Sequence, residues 1–252
     1  MLTIHPVPAF NDNYLWVLSD GRRAAVVDPG DAAPVEAYLA RERLELVAIL
    51  VTHHHADHIG GVARLVEKYA PRVYAPLDDR IPHATDRVLD GDRVTVLGTT
   101  FDVIEVPGHT RSHIAYHAAD MLFCGDTLFA CGCGRMFEGT APQMHASLAR
   151  LAALPPATRV FCAHEYTLSN IRFARAVEPA NAALAARETD CAGRRERGEP
   201  TVPSTIAQEL ATNPFLRCTE PAVAAAATAA AGHRLDSAAE VFGALREWKN
   251  NF

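Results

Sequence analysis

The chain has 252 residues, of which 49% are hydrophobic and 21% are charged, so it can form one large globular domain or two smaller ones. The formal net charge of −6 and the lack of a basic stripe argue against a nucleic-acid partner. No apolar run reaches the roughly 20 residues of a membrane span, no secretory signal is visible, and the cysteines lack disulfide-framework spacing, so we expect a cytoplasmic protein with reduced thiols and no membrane partner.

The first two thirds of the chain alternate short apolar runs with loops and amphipathic segments, which is typical of an α/β domain. Strands are predicted at 14–19, 24–28, 46–51, 72–75, 93–97, 101–106, 112–117, 121–124 and 159–162. Helices are predicted at 31–43, with Asp31 or a neighbour as the cap, at 58–69, where Pro71 stops the helix, and at 142–153.

The sequence after His164 has a different character, because none of it shows a convincing strand pattern. Helices are predicted at 166–177, 180–195, 204–211, 222–231 and 235–249. The segment 193–203 is rich in charge, glycine and proline, which indicates an exposed loop. We therefore predict an α/β domain over residues 1–165, followed by a small helical domain over residues 166–252.

The segment 52–61 carries the strongest chemical signal in the sequence, the pattern His53-x-His55-x-Asp57-His58. Four imidazole or carboxylate ligands within six positions are more than one tetrahedral metal site usually takes from one loop. The pattern therefore predicts two metal ions side by side. A dinuclear site makes a hydroxide from water at neutral pH and holds it against an electrophile, so the pattern indicates a metal-dependent hydrolase.

Further candidate residues follow the ends of predicted strands, namely Asp28, His109, Asp126 and His164. The loops at one edge of an α/β sheet are where such folds bind their ligands, and this shared position supports a common site. We expect Asp28 to accept a hydrogen bond from a ligand imidazole rather than to bind a metal ion itself.

The candidate ligands can be sorted by their position on the chain. His53 and His55 are two residues apart in an extended loop and can face one ion, whereas Asp57 and His58 begin a helix and can face another. Asp126 has two carboxylate oxygens and can bridge the ions. The first site is therefore predicted as His53, His55, His109 and Asp126, and the second as Asp57, His58, His164 and Asp126. Asp57 and Asp126 are the carboxylates that we expect to matter for catalysis as well as for binding.

Simpler roles are expected for several nearby residues. His54 lies between two ligands and is expected to point away from the metal ions, and His113 is left as a structural or supporting residue. Cys131 and Cys133 lack the second pair that a thiolate metal site needs, so they indicate a turn with two free thiols. The ligand set contains only nitrogen and oxygen donors, which suits zinc, iron or manganese without choosing among them.

The sequence resembles the metallo-β-lactamase superfamily and, within it, the hydroxyacylglutathione hydrolases, also called glyoxalase II. The superfamily pattern is the 52–61 segment together with His109, Asp126 and His164. The segments similar to the narrower family extend over essentially the whole chain: PAFNDNY (8–14), GDTLF (125–129), GCGR (132–135), AHEYT (163–167), PSTI (203–206) and NPFLR (213–217). The last two lie in the helical part, which other branches of the superfamily lack.

This resemblance implies a metallo-β-lactamase αββα sandwich followed by a small all-helical C-terminal domain that binds glutathione. It implies hydrolysis of S-D-lactoylglutathione and related 2-hydroxyacylglutathione thioesters to D-lactate and glutathione, the second step of methylglyoxal detoxification, by a hydroxide held on two divalent ions. Zinc is the first expectation, with iron or manganese as alternatives. We expect a monomer whose partner is the small-molecule substrate.

The resemblance also implies which residues bind glutathione: Arg135, Phe137, Tyr166, Arg246 and Lys249. Some relatives carry lysine at position 135 and tyrosine at position 137. Arginine preserves the charge, whereas Phe137 lacks the hydroxyl and can give only an apolar or backbone contact. Without the resemblance, Arg246 and Lys249 would be interpreted as a solvated face of the last helix.

Three rival functions are weighed against thioester hydrolysis. Another hydrolase of the superfamily, an RNA phosphodiesterase or a lactonase, shares the ligand pattern, but the acidic net charge disfavours RNA. A di-iron redox protein usually has a flavin partner domain. A metal-binding module without catalysis does not explain so many ligands in one loop. A thioester also suits this sequence because a thiolate leaves without full protonation, and no obvious general acid lies outside the ligand set.

Overall fold

A computed structural model describes residues 2–252, which form two compact units. The first unit comprises the residues up to Glu105 together with Ser112–Gly125, and the second comprises Val106–Arg111 together with Asp126–Phe252. The short segment Val106–Arg111 thus packs with residues that follow it much later in the chain. These units are defined by packing, and their limits differ from the predicted domain boundary at residue 165. The division into domains 1–165 and 166–252 stays a prediction.

The first unit contains most of the sheet structure. Its elements in chain order are β1 (Thr3–Ala9), β2 (Asn13–Ser19), β3 (Arg23–Val27), α1 (Ala32–Glu42), β4 (Glu45–Leu50), α2 (Ala56–Ile59), α3 (Val62–Tyr69), β5 (Arg72–Pro76), β6 (Asp86–Val88), β7 (Arg93–Val96), β8 (Thr99–Glu105), β9 (Ile114–Ala118) and β10 (Met121–Gly125). Strands β1–β6 form one sheet in sequential order, and β7–β10 pair as an antiparallel meander.

The first sheet changes strand direction at β3. Strands β1, β2 and β3 are antiparallel, whereas β3, β4, β5 and β6 are parallel. Parallel strands end at the same edge of a sheet, and Val27 at the end of β3 is paired with Leu50 at the end of β4. The residues that follow these two strands, Asp28 and the 52–58 segment, are therefore brought to one edge.

The apolar core of the first unit lies between this sheet and the helices that follow its strands. Val26 and Ile49 of the sheet are fully buried with Val35 and Leu39 of α1 and Leu65 of α3. Each helix has a defined end: Asp31 caps α1 by accepting a hydrogen bond from the Ala33 backbone at 2.9 Å, as its position in the sequence predicts. Burial of these apolar faces fixes the strand ends that carry the candidate ligands.

The prediction of one helix over 58–69 is wrong, because α2 and α3 are separate helices on either side of Gly60 and Gly61. A Cβ atom at Gly60 would overlap the Gly30 carbonyl, and one at Gly61 would overlap the backbone of Ala32. The two glycines therefore allow the chain after the ligand loop to pack directly against the backbone that follows β3.

The second unit is mainly helical. Its elements in chain order are β11 (Leu128–Phe129), β12 (Gly132–Cys133), α4 (Ala141–Ala152), β13 (Arg159–Cys162), α5 (Thr167–Val177), α6 (Ala182–Glu196), β14 (Ser204–Thr205), α7 (Ile206–Thr212), α8 (Pro221–Ala231) and α9 (Ala238–Asn250), with a 3₁₀ turn at Pro214–Leu216. Strands β11 and β12 form a hairpin, and β13 pairs with β14.

Two predictions for this part of the chain need correction. The segment 193–203 is not a loop throughout, since α6 continues to Glu196. Residues 204–205 extend as β14 beside β13, although no strand was predicted there, and the helix predicted to begin at residue 204 begins at Ile206. None of the helices formed by residues 2–252 has the length and apolarity of a membrane span.

Candidate functional site

Asp28 organises the candidate ligand loop of the first unit. It follows β3 with a positive φ of 50°, a conformation that aspartate tolerates better than most residues. Its Oδ1 accepts a hydrogen bond from the Thr52 backbone N–H at 2.7 Å, and its Oδ2 accepts one from the Thr52 hydroxyl, also at 2.7 Å. The Oδ2 atom also lies 3.0 Å from Nδ1 of His58. One buried carboxylate thus holds both the start of the loop and the first turn of α2.

The contact with Asp28 determines which nitrogen of His58 can act as a ligand. His58 is fully buried, and a neutral ring that donates from Nδ1 to a carboxylate presents Nε2 as its acceptor. Asp28 therefore makes the hydrogen bond that the sequence predicts for it, to an imidazole of the 53–58 pattern.

The imidazoles and carboxylate of the loop fall into two pairs. Nε2 of His53 lies 3.1 Å from Nδ1 of His55, so these nitrogens point at a common position. Oδ2 of Asp57 lies 3.4 Å from Nε2 of His58 and accepts a hydrogen bond from Asn13 at 3.0 Å. These are the same two pairs that the chain positions predict for the two metal ions.

Two further histidines of this unit have supporting positions. The ring of His113 is buried and stacks on that of His53, with centroids 4.6 Å apart. A Cβ atom at Gly125 would overlap the His113 ring and the Thr52 hydroxyl, so this glycine permits the close packing. Nδ1 of His54 lies 3.6 Å from the carboxylate of Asp78, whereas Nε2 of His53 and Nδ1 of His55 lie 3.1 Å apart.

The candidate ligands of the second unit come from three separate segments and meet around Asp126. Nε2 of His109 lies 3.5 Å from Oδ2 of Asp126, and Nε2 of His164 lies 3.3 Å from its Oδ1. Each carboxylate oxygen thus faces a different imidazole, which suits a carboxylate that bridges two ions. Nδ1 of His109 lies 2.7 Å from the backbone oxygen of Arg135, so a neutral ring that donates from Nδ1 presents Nε2 as its acceptor nitrogen.

A cavity of about 680 Å³ lies within the second unit and contains His109 and Asp126 in its wall. This volume is in the range of small-molecule binding sites. The residues implied to bind glutathione also line it: Arg135, Phe137, Tyr166, Arg246 and Lys249. The structure therefore brings the whole predicted substrate-binding set together with two predicted metal ligands.

The two cations of α9 differ in their surroundings. Arg246 is only 4% exposed and donates a hydrogen bond to the Cys133 carbonyl at 2.8 Å, so it does not lie on a solvated helix face. Lys249 donates to the Ser169 carbonyl at 3.1 Å. Burial, together with the charge of nearby arginines, lowers the pKa of Lys249 to about 8.

Aromatic side chains form another part of the cavity wall. Tyr166 stacks on His164, with ring centroids 4.7 Å apart and planes 4° apart, and Phe129 packs edge-on against both rings. Phe137 packs edge-on against His109 at 5.3 Å and is 64% exposed. These rings pack against the candidate ligand imidazoles and provide an apolar surface beside them.

The hairpin of β11 and β12 connects Asp126 to the cationic segment at Arg135, and it is held by side chains of the surrounding helices. The backbone N–H of Cys131 donates to Glu209 of α7 at 2.8 Å. Asn170 and Asn213 donate to the backbone oxygens of Ala130 and Gly132 at 3.0 and 2.9 Å. The position of the hairpin is therefore determined by the helices of the second unit.

A buried ion pair includes Glu209, the residue that accepts the hydrogen bond from the hairpin. The guanidinium of Arg187 lies 2.6 Å from the carboxylate of Glu209, and both side chains are almost completely buried. Burial opposes the charge of Arg187, but the carboxylate outweighs this effect and raises the pKa above its ordinary value. The same carboxylate accepts the hydrogen bond from the hairpin, so the pair and the hairpin form one network.

Sequence reasoning missed three residues that contribute to these sites, namely Thr52, Phe129 and Arg172. Thr52 joins the strand end to Asp28, and Phe129 and Arg172 line the cavity of the second unit. Thr52 and Phe129 lie in the family-like segments 52–61 and 125–129. Neither residue type is a usual catalytic group or metal ligand, so nothing in the sequence singles them out. Arg172 lies three residues after Ser169, one helical turn further along α5, and nothing in this spacing relates it to α9.

Known families match the chain along nearly its full length. Residues 9–164 match the Metallo-beta-lactamase superfamily, and residues 165–252 match the family described as Hydroxyacylglutathione hydrolase C-terminus. A hydroxyacylglutathione hydrolase from Pseudomonas aeruginosa (strain LESB58) is 57% identical over 258 residues, covering 100% of both chains. One from Cupriavidus taiwanensis is 56% identical over 266 residues, again covering 100% of both chains.

The chain belongs to the hydroxyacylglutathione hydrolases. These are thioester hydrolases of the metallo-β-lactamase superfamily, so the predicted family is confirmed.

Solved structures agree on the fold. The crystal structure of ETHE1 from Myxococcus xanthus has a TM-score of 0.69 and 26% sequence identity, covering 98% of this chain and 91% of that one. A structure of TTHA1623 in a di-iron-bound form has a TM-score of 0.56 and 31% identity, covering 64% of this chain and 91% of that one. The predicted fold class, a metallo-β-lactamase fold followed by a helical C-terminal domain, is confirmed for this hydroxyacylglutathione hydrolase family member.

Proposed function

We propose that this protein hydrolyses 2-hydroxyacylglutathione thioesters, S-D-lactoylglutathione among them, to the hydroxy acid and glutathione, the second step of methylglyoxal detoxification. The observation that carries the proposal is the cavity of the second unit, where His109 and Asp126 share a wall with cationic side chains. A glutathione thioester has both features that this wall suits, a reactive carbonyl and remote carboxylates. The names of the full-length relatives support the same substrate class.

The proposed cofactors are two divalent metal ions, with zinc first and iron or manganese as alternatives. The candidate ligands fit such ions, because they are nitrogen and oxygen donors and their histidines are supported through the other ring nitrogen at His58 and His109. The proposed ligands are His53, His55, Asp57, His58, His109, Asp126 and His164. When bound, the ions lower the pKa of water and act as Lewis acids toward a carbonyl oxygen.

The side chains around the cavity have separate proposed roles. Arg246 and Lys249 bind a carboxylate of glutathione, and Arg135 adds positive charge at the cavity wall. Phe137 and Tyr166 pack against the proposed ligand imidazoles of His109 and His164 and offer an apolar surface to the substrate. Asp57 and Asp126 are proposed to bind the ions through their carboxylates.

The chemistry of the leaving group explains why no separate general acid is required. Water adds its oxygen to the carbonyl carbon and releases a proton, the carbon–sulfur bond breaks, and the sulfur leaves as a thiolate that takes up a proton from solvent. The conjugate acid of a thiolate has a pKa of about 8.5, so the thiolate departs near neutral pH without prior protonation. An amide or alkoxide would need a proton donor, which favours thioesters over other acyl substrates.

The proposed setting is a cytoplasmic monomer without nucleic-acid or membrane partners. Free thiols support a reducing compartment, because Cys124, Cys131, Cys133, Cys162, Cys191 and Cys218 form no disulfide in the described part of the chain. Burial raises the pKa of Cys131 and of Cys162 to about 12, so these thiols stay protonated and unreactive.

The decisive experiment compares one acyl group on two thiols. Purified protein with measured metal content is assayed with S-D-lactoylglutathione and with the same lactoyl group on N-acetylcysteamine, which lacks both carboxylates of glutathione. The proposal expects rapid hydrolysis of the first and a kcat/KM lower by about 100-fold or more for the second, since two or more charged contacts are lost. Equal kcat/KM values for both, or no hydrolysis of the glutathione thioester, would contradict it.

A further inference from the structure

The wall of the cavity in the second unit carries an excess of positive charge. The residues already proposed to bind glutathione do not account for all of it. Among the described residues in its wall, the cations are Arg135, Arg172, Arg246 and Lys249, and the carboxylate is that of Asp126. The protein as a whole has a net charge of −6, so this local excess runs against its overall balance. Such a local reversal of sign favours an anionic ligand.

Two of these cations are already engaged with the protein. Arg246 is buried and directs one guanidinium nitrogen to the Cys133 carbonyl. Lys249 donates to the Ser169 carbonyl and lies against the rings of Phe173 and Phe252. Each therefore has fewer donors left for a ligand than an unengaged side chain.

Arg172 differs from both. Its side chain is exposed on α5, one helical turn after Ser169, and makes no hydrogen bond or ion pair with any residue between 2 and 252. Its charge helps to lower the pKa of Lys249, which shows that the two cations are close enough to repel each other. Arg175 on the same helix, by contrast, is paired with Glu188 at 3.3 Å and with the Pro179 carbonyl at 2.6 Å.

We infer that Arg172 binds the same glutathione carboxylate as Lys249 and is a specificity-determining residue of the substrate site. Two neighbouring cations without an acidic partner repel each other, and a carboxylate between them turns this repulsion into attraction. Arginine can also present two parallel N–H donors to a carboxylate, whereas lysine acts as a point charge. The inference rests on the proposed function, since it assigns a residue to one end of that substrate.

The test uses S-hexylglutathione, a thioether that cannot be hydrolysed, and measures its Kd by calorimetry for the full-length metal-loaded protein. Arg172→Ala is expected to raise Kd about fivefold to tenfold, and Arg172→Lys to recover about half of this change on a logarithmic scale. Arg175→Ala, the matched control on the same helix, is expected to leave Kd within about twofold of wild type. A Kd for Arg172→Ala within twofold of wild type, or an equal weakening by Arg175→Ala, would overturn the inference.

Truncated ligands identify the carboxylate. S-hexyl-γ-glutamylcysteinamide lacks the glycine carboxylate and, as an amide, has no cysteine carboxylate in its place, whereas N-acetyl-S-hexylcysteinylglycine lacks the γ-glutamyl carboxylate without gaining a free amine. Arg172→Ala and Lys249→Ala are expected to lose their effect on Kd with the same truncated ligand. Loss with different ligands would show that the two residues bind different carboxylates and would overturn the inference.

The pH dependence of S-hexylglutathione binding provides a further test, because a purely structural role of Arg172 would leave it unchanged. The groups facing Lys249 are Arg246 on its own helix, Arg172 on α5, and Cys133 and Arg135 on and after β12. Removing the Arg172 charge is expected to shift the loss of S-hexylglutathione binding at alkaline pH to a higher pH, and an unshifted profile contradicts the close approach of Arg172 to Lys249.

If wild type neither binds S-hexylglutathione nor hydrolyses the thioester, the proposed function fails as well. If wild type does both, an unaffected Arg172 variant refutes only the role of Arg172.

Discussion

The two units obtain their candidate ligands in different ways. In the first, His53, His55, Asp57 and His58 come from one loop, and Asp28 supports it from the end of the neighbouring parallel strand. In the second, the ligands come from three distant segments, and the cavity beside them depends on a hairpin held by several helices. One well-placed carboxylate is enough to position candidate ligands that come from a single loop. Candidate ligands from distant segments are positioned by a network of tertiary contacts.

This contrast predicts that the two regions respond differently to substitution. Substitution of a candidate metal ligand should affect metal content and turnover. Substitution in the network of helices around the hairpin should affect stability. Substitution of a cationic residue of the cavity should affect only substrate affinity.

Asp126→Ala is expected to lower kcat by on the order of 1000-fold or more and to reduce the bound metal, because both His109 and His164 face this carboxylate. Steady-state assays with S-D-lactoylglutathione and elemental analysis of the purified variant check this. The exposed turn residue Asp120 provides the control, and Asp120→Ala should change neither quantity. A variant that keeps two metal ions and full activity refutes the bridging role of Asp126.

Glu209→Ala is expected to lower the free energy of unfolding by about 3–5 kcal/mol, because it leaves the Arg187 charge buried without its partner. The backbone N–H of Cys131 also loses its acceptor. Urea unfolding of metal-loaded protein measures the change. Glu199→Ala, which breaks the exposed pair with Arg197, should cost less than about 1 kcal/mol. Similar costs for the two variants would mean that the buried pair does not hold the hairpin.

Asp28→Asn is expected to weaken metal binding by about 10–100-fold, since the amide cannot accept all three hydrogen bonds that the carboxylate accepts from Thr52 and His58. Competition with a chelator gives the affinity. Asp31→Asn, three residues away, should behave as wild type because asparagine caps a helix as well as aspartate does. An unchanged metal affinity for Asp28→Asn would remove Asp28 from the support of the ligand loop.

The KM for the glutathione thioester is expected to rise by up to about tenfold as the pH increases from 7 to 9. The pKa of Lys249 is lowered to about 8, so the ammonium that attracts a carboxylate is present below that pH and is lost above it. Lys249→Ala should have a raised KM at pH 7 and no such rise at pH 9, with kcat little changed. A wild-type KM that is constant over this range argues against a role for the Lys249 charge.

The difference between the two regions also explains what the sequence could reveal. The candidate ligands of the loop and their proposed division into two pairs follow from local spacing, and the strand ends follow from apolar runs such as 46–51. The role of Asp28 is accessible for the same reason, because it depends only on two neighbouring parallel strands.

The remaining features depend on contacts between distant parts of the chain. The break between α2 and α3 arises from the packing of Gly60 and Gly61 against the backbone after β3, which periodicity does not contain. Strands β11, β12 and β14 have two residues each, too few to show any alternation. The place of Arg172 beside Lys249 depends on how α5 and α9 pack, so no spacing in the sequence indicates it.

A metal titration of the chelator-treated protein tests the proposed dependence of thioester hydrolysis on two metal ions. Turnover of S-D-lactoylglutathione is followed as zinc, iron or manganese is added in increments, with the bound metal determined in parallel. We expect no turnover without metal and full turnover as bound metal reaches two ions per chain. Full activity in protein shown to contain no metal would contradict it.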